Sequence, residues 1–592
     1  MSKDAKSMIW DYLVFVIFVI ASTFVAVYSR FFGPKEKTKA DFVFAAGKVS
    51  MAAMMLSIAR GTLGVRSFLG YPSELFYRGS TMWETLYGMV LAYPIVCFVF
   101  VPVYFSLGIT SVYQYLDLRF KSRLVRCLAS GTYIVRQLLN QGVTVFTPCV
   151  ALNTVIGIPY WASIFGITLV SIIFTILGGL KAAILADVMQ GLTMIAVSLA
   201  IIIQGCIEVG GFGAVFERNK ADGRLDFLKT LMYNIPVITV LFSLSWVVGM
   251  VVYATYASCD PYTSGYIEKF DEVLPFFVED RFNYLPGILG LFMASLFNGA
   301  LSLNVSNLNS LATVTFEDFL RPIPYLKGLK DKHQLYTIKA IAVLYGFVIM
   351  GISFGVGLLD GVIESSMLVT SATSGPLLGV FIMALLIPCT NWKGASIGVI
   401  TGHLVTLWIT FGRLTTERPP TPLLPLSADG CTNSSFNDHI LKPEHQTSFW
   451  TVTTTTPTPV NNTGNFSYDI INTTRAIPSD PLTQLYSVTY MYYSLIGCFI
   501  SILIGWTVSY FTGSESDLYD QELIHPVARK MANFFPGKKR RYAEKNFEDK
   551  TFRGSINLSA SAASVDKKNG NANLAFAQDI PMEQTEVYKT KL

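Results

Sequence analysis

The chain is built from apolar runs of about twenty residues separated by short polar loops, and that repetition limits its folds more than any motif does. A run such as Tyr12 to Phe32 matches the ~30 Å hydrocarbon thickness of a bilayer when coiled as a helix, and inside lipid every backbone N–H and C=O must be bonded within the protein. Spans are read near 10–32, 43–70, 83–108, 128–157, 159–180, 186–210, 229–258, 286–316, 336–358, 366–389, 395–413 and 487–511. The expected fold is therefore all-α, a polytopic membrane protein of about 12 spans.

At 52% hydrophobic and 14% charged, the chain is too apolar for a soluble protein of 592 residues. The first run is long enough to span and lacks a small-residue cleavage site, so it is read as a helix and not as a signal peptide. The net charge of +5 sits in loops beside spans and gives no nucleic-acid face. No nucleophile–base set, paired zinc motif or P-loop occurs, which excludes the familiar enzyme classes. The reading divides the chain into an extracellular tail at 1–9, a transmembrane domain at 10–511 that contains an extracellular loop at 414–486, and a cytoplasmic disordered tail at 512–592.

The loop at 414–486 carries sequons at Asn433, Asn461, Asn465 and Asn472 beside a Thr/Pro run, marks of a glycosylated lumenal segment. Cys259 and Cys431 lie in polar loops. If both loops are extracellular a disulfide between them is expected, the alternative being two free thiols. The other six cysteines fall in or beside spans, where packing is the default.

Lysine and arginine should favour cytoplasmic loops. Arg30, Lys35, Lys37 and Lys39 after span one, and Arg119, Lys121, Arg123 and Arg126 after span three, place the N-terminus outside. Counted onward over twelve spans, the basic loop after span eight and the basic Lys538–Arg541 tail would fall outside, and the sequons inside. An odd number of crossings missing between about 211 and 286 removes the conflict.

Two spans carry polar residues where lipid would forbid them. In Phe297–Pro322, Asn298, Ser302, Ser306 and Asn309 recur at helical spacing and share one face. Such a stripe faces a solute path, or it glues helices together. In Met51–Gly70, Gly61 and Gly64 interrupt the helix beside Arg60 and Arg66. Mid-span glycines suit a broken helix. An unpaired guanidinium there costs roughly 2.5–3.5 kcal/mol, so it needs an anion, a carbonyl cage, an ion pair or room to snorkel. Asp187 opens the sixth span, where a helix dipole also favours a carboxylate. Arg136, Asn140 and Gln141 form a polar patch in the fourth span, and Ser371, Thr373 and Ser374 precede Gly375-Pro376; each group lines a cavity or merely satisfies local backbone.

Several stretches carry a resemblance: Gly299-Ala-Leu-Ser-Leu-Asn-Val-Ser-Asn-Leu-Asn-Ser310 running into Glu317-Asp318, Gly70-Tyr-Pro-Ser-Glu-Leu, Leu107-Gly-Ile-Thr-Ser-Val-Tyr-Gln-Tyr-Leu, Gly178-Gly-Leu-Lys-Ala followed by Asp187, and Ser374-Gly-Pro-Leu-Leu-Gly379. The chain resembles the sodium/solute symporter family, closest to its iodide, monocarboxylate and multivitamin branch, across most of 10–511. The resemblance implies an inverted-repeat, broken-helix transporter in the plasma membrane that takes up a small organic anion, a monocarboxylate or vitamin-like acid, by sodium-coupled alternating access. It implies no cofactor beyond the coupling ion. Arg60, Gly61, Gly64, Arg66, Asn140 and Gln141 would meet the substrate. The sodium ligands would come from Ser302, the adjacent pair Val305 and Ser306, Asn309 and Asp187.

Two departures bear on that expectation. Valine at 305 supplies no side-chain oxygen, while two arginines stand in the broken helix, so arginine replacing the ion in a sodium-independent carrier is the alternative. After Gly223-Arg-Leu-Asp-Phe227 the family usually supplies a helix that this chain lacks, as a splice form or incomplete gene model would. A transport-incompetent scaffold or sensor is therefore a further alternative. The end, Thr590-Lys-Leu592, fits a strand added to a PDZ domain.

Overall fold

The computed structural model describes residues 5–32, 51–79, 84–107, 109, 111–222, 237–282, 284–324, 330–357, 362–415, 423–424, 426–428, 430–431, 481–512 and 523–531. The spans are α1 (Ala5–Phe32), α2 (Met51–Arg78), α3 (Glu84–Ile95, continued through a π-turn at Val96–Phe100 and Val101–Leu107), α5 (Arg123–Ile156), α6 (Tyr160–Val209), α8 (Val237–Tyr256), α10 (Ile288–Thr315, ending in a π-turn at Phe316–Leu320), α11 (Asp331–Val356), α12 (Val362–Leu386), α13 (Trp392–Thr415) and α15 (Tyr493–Phe511). Shorter helices are α4 (Val112–Phe120), α7 (Phe212–Ala221), α9 (Val273–Arg281), α14 (Pro481–Ser487) and α16 (Pro526–Met531). Seven apolar windows are long enough to cross a membrane, among the described residues. None of the seven falls in α2 or α5, whose arginines, glycines and glutamines mark them as interior helices.

Backbone hydrogen bonding carries α6 from Tyr160 to Val209, 50 residues and ~75 Å if straight. Its partners show that it doubles back. Tyr160 stacks on Phe146, beside Gly357 at the end of α11, whereas the Ile176 carbonyl accepts from Lys339 near its start. Farther on, Ala186 packs with Leu301 and Val305, Gln190 bonds the Ser295 carbonyl and Gln204 bonds Tyr284, so this half climbs α10 backwards. The two halves, α6a (Tyr160–Leu177) and α6b (Ala186–Val209), thus run as the two separate spans expected.

The same contacts give each helix a direction. Gly64, Val65 and Phe68 of α2 meet Leu303, Gly299 and Phe292, so α2 opposes α10. Tyr133 and Gln141 of α5 meet Ser310 and Leu303, so α5 opposes it too. Along α8, Trp246 stacks on Tyr71, Gly249 abuts Pro72 and Leu75, and Tyr253 meets Phe76, so α8 runs parallel to α2.

It also runs parallel to α6b, its predecessor in sequence. Tyr253 at the far end of α8 bonds Asp222, and Asn219 bonds the Met250 carbonyl. The chain therefore leaves α7 beside the end of α8, yet must begin α8 about 20 Å away on the opposite side. The intervening 223–236 lie outside the described residues. The parallel pair supplies the change of parity that the charges demanded: the helix ends that flank the basic stretches 33–50, 108–122 and 321–330 share one face, and the described residues of 423–431, at the edge of the sequon loop, lie on the other.

Of the most apolar 18-residue window within Ile288–Leu320 83% is buried, against 28% of the corresponding window of Ala186–Val209, which makes α10 the axis of the bundle. Its amino end is capped from another helix. Asp11 of α1 accepts from the Gly287 and Gly290 N–H groups at 2.7 and 3.3 Å, satisfying donors that a helix start leaves open. Arg119 of α4 does the converse for α12, donating to the Ala384, Ile387 and Pro388 carbonyls at 3.0, 3.5 and 3.2 Å. On the other side, α12 and α13 close on α15 through small residues: Gly375 and Gly379 approach Ser494 and Cys498, and Gly394, Gly398 and Gly402 face Gly497, Ser501, Gly505 and Ser509.

Cys259 and Cys431 are joined in a disulfide, Cα atoms 4.9 Å apart. Leu424 N–H bonds the Tyr77 carbonyl and Asp260 N–H the Ser427 carbonyl, so the start of the sequon loop is fastened to the outer end of α2. The tail differs from its expected disorder over 523–531: Leu523, Ile524 and Ala528 are buried against the helices. Its overall polarity hid three apolar side chains with a groove to fill.

Candidate functional site

At Gly64 the backbone of α2 leaves the helix, with φ 62° and ψ 172°. That conformation favours glycine, and a Cβ there would lie 3.4 Å from Leu303 Cδ1. The break therefore falls against the middle of α10, and a broken helix bares backbone groups that an intact one bonds internally. Gly61 stays helical. The side chains of Arg60 and Arg66 lie outside the described ones.

Around this break α10 presents its polar face to α6b and α5. Gln190 Nε2 donates to the Ser295 carbonyl at 2.7 Å, and Ser302 Oγ donates to Gln190 Oε1 at 3.3 Å. Gly299 leaves the room the Gln190 amide needs. Gln141 Nε2 reaches the Leu303 carbonyl at 3.2 Å. Asn298 and Asn309 are buried, and Ser306 is half-buried. About two turns before Gly64, Ser57 of α2 donates to Asp187 Oδ2 at 2.6 Å, and Asp187 is 5% exposed.

Val305 is fully buried in an apolar cluster with Phe174, Ala186 and Leu301. The position beside Asp187 therefore offers carbon where an adjacent hydroxyl would offer oxygen. No group of three or more His, Cys, Asp or Glu side chains comes together among the described residues. A cation at this level would rely on Asp187, the Ser57 hydroxyl bonded to it, the Ser306 hydroxyl next to Val305 in sequence, and the carbonyls freed by the α2 break.

The patch on α5 is more pointed than its sequence suggested. Arg136 is half-buried in mid-helix, its Nε shielded from solvent, and it makes no hydrogen bond or ion pair among the described residues. The phenols of Tyr113 and Tyr133 are its electrostatic neighbours. Tyr133 pairs with Ser310 at 2.9 Å, and Asn140, one turn farther, accepts from Ser366 of α12 at 3.2 Å. Ser371 and Thr373 bond carbonyls one turn back, and Ser374 pairs with Ser494, so those hydroxyls serve the helices. The sequence passed over Gln190 and Asn304. Gln190 looks like any polar interruption of an apolar run. Asn304 lies off the polar stripe, and both its amide atoms are buried without a hydrogen-bond partner among the described residues.

A helical membrane bundle in which a broken helix lies against the polar face of a buried one is the architecture of a secondary transporter. The profile of the Sodium:solute symporter family matches residues 42–263. The human sodium-coupled monocarboxylate transporter 2 is 30% identical over 569 residues, covering 88% of this chain and 87% of that protein. The rabbit (Oryctolagus cuniculus) sodium-dependent multivitamin transporter is 29% identical, covering 89% and 86%. A Na+-coupled sialic acid symporter, solved substrate-bound and outward-open, superposes with a TM-score of 0.61 at 17% identity, over 90% of this chain and 99% of that one; at this identity the likeness concerns the fold. The chain belongs to the sodium:solute symporter family.

Proposed function

We propose that this protein is a plasma-membrane carrier that takes up a small organic anion, a monocarboxylate or a vitamin-like acid, by alternating access coupled to sodium. The carrying observation is Arg136. A guanidinium held in mid-span with no carboxylate partner among the described residues is costly as it stands, and its planar fork suits a substrate carboxylate. Tyr113, Tyr133, Asn140 and Ser366 would orient the anion, and Gln141 would steady the α10 backbone beside it. Asp187 with Ser57 and Ser306 would hold sodium, weakly because Val305 withholds an oxygen. Glycosylation of the loop at 414–486, whose four sequon asparagines lie outside the described residues, and a PDZ partner at Thr590–Leu592, also outside them, belong to this reading as further proposals.

A second reading has its own observation. Although α6b and α8 run parallel, only the fourteen residues 223–236 separate the end of α7 from the start of α8, fewer than the ~20 of an ordinary membrane helix. A form that cannot seal there would keep the fold as a non-transporting scaffold. Uptake of a radiolabelled short monocarboxylate into expressing cells, with sodium exchanged for choline, separates the readings. Sodium-dependent uptake supports the symporter and sodium-independent uptake an uncoupled carrier. Absence of uptake by surface-expressed protein would overturn transport altogether.

A further inference from the structure

The segment after the last span re-enters the fold at the cytoplasmic ends of three helices. Leu523 is 4% exposed, Ile524 fully buried and Ala528 3% exposed. Leu523 fills the apolar cluster formed by Val103 of α3, Tyr115 and Leu116 of α4, and Leu377 and Leu385 of α12. Hydrogen bonds fix the same three helices. Tyr115 Oη donates to the Leu523 carbonyl at 2.8 Å, and His525 N–H to the Leu385 carbonyl at 3.2 Å. His525 Nδ1 accepts from Val527 N–H at 3.3 Å, which leaves Nε2–H to donate to the Phe98 carbonyl at 3.3 Å. Burial raises the Tyr115 phenol well above its ordinary range, with Arg119 offsetting part of the shift, so it stays a donor.

The end of α12 that receives these bonds also delivers its carbonyls to Arg119, and one turn back its Phe381 meets Tyr113 of α4, ring centroids 6.0 Å apart, while Tyr113 in turn lies 5.6 Å from Tyr133 in the Arg136 patch. We propose that Leu523–Ala528 is a strap: it ties the cytoplasmic end of α12 to α3 and α4 and so holds the inner side of the Arg136 patch shut. Opening toward the cytoplasm then requires the strap to lift. The consequence for transport rests on the carrier reading above; the strap itself does not.

Cys389, half-buried just past α12, reports the strap without any transport assay. In inside-out vesicles carrying the full chain, a membrane-impermeant maleimide should alkylate Cys389 about tenfold faster in Ile524→Asp, the factor that 1.4 kcal/mol carries. Tyr115→Phe, which removes one hydrogen bond and leaves the packing, should give a smaller acceleration of the same sign; Cys389→Ser sets the background. An unchanged rate in both variants at normal membrane abundance overturns the strap. Should Ile524→Asp fail to reach the membrane, a Leu116→Cys/Leu523→Cys pair decides. Oxidative cross-linking in native membranes supports docking, and its absence refutes it. Faster alkylation without uptake by any form would leave the strap standing and sink the carrier reading.

Discussion

Replacing Arg136 by glutamine separates a substrate-binding arginine from a structural one, because the two roles predict opposite effects on stability. The guanidinium has no hydrogen-bond or ion-pair partner among the described residues, and its Nε is buried. A charged side chain in mid-span costs roughly 2.5–3.5 kcal/mol, so Arg136→Gln should raise the melting temperature of the detergent-solubilised protein. Had Arg136 been half of an internal ion pair, its removal would instead cost about 3–5 kcal/mol through the charge left behind. Uptake should move the other way. Truncating one side of a desolvated charge pair costs about 2–5 kcal/mol, or ~30-fold to ~5,000-fold in affinity. The KM for a monocarboxylate should climb out of reach, and thermal stabilisation by added substrate should vanish. Arg136→Lys keeps the charge without the fork and should recover part of the affinity. Lower stability together with unchanged KM would refute the assignment and return Arg136 to structure.

Three other expectations follow from the geometry. Arg126 bonds Asp318 Oδ1 at 2.6 Å, with that carboxylate side chain fully buried at the cytoplasmic π-turn of α10. Arg126→Ala should destabilise by about 3–5 kcal/mol, measured by denaturant or heat, and a loss under 1 kcal/mol would mean that water reaches the acid. Gly398 of α13 sits where a Cβ would come within 3.0 Å of Gly505 Cα, so Gly398→Leu should cost about 1–3 kcal/mol by overpacking and lower the melting temperature; an unaltered value would show that α13 and α15 separate freely. In intact cells an N-terminal epitope should be accessible and a C-terminal one hidden, and N-glycosidase should raise gel mobility through the sequon loop. Access to both epitopes would refute the single orientation drawn from the parallel α6b and α8.

Helix class and approximate bounds were legible in the chain because a membrane helix advertises itself by unbroken apolarity over its whole length. The arrest at Gly64 was legible for a similarly local reason, since few residues besides glycine tolerate φ 62°. Charge counting pointed to a change of parity between 211 and 286, the interval in which α6b and α8 run parallel, because loop charge is an additive signal that keeps parity. Which helices touch is another matter. That α6 folds back, that α8 parallels α6b, and that Asp11 caps α10 across the bundle depend on long-range packing of faces with no sequence period linking them. The site shows the same division. The stripe Asn298, Ser302, Ser306 and Asn309 could be read from helical spacing, but its partners Gln190, Ser57 and Gln141 could not. Val305 was read as a missing oxygen; only the folded chain shows Phe174, Ala186 and Leu301 packed around it. Polar side chains are identifiable one at a time, whereas being satisfied or left wanting, as Arg136 is, depends on what tertiary structure brings within 3 Å.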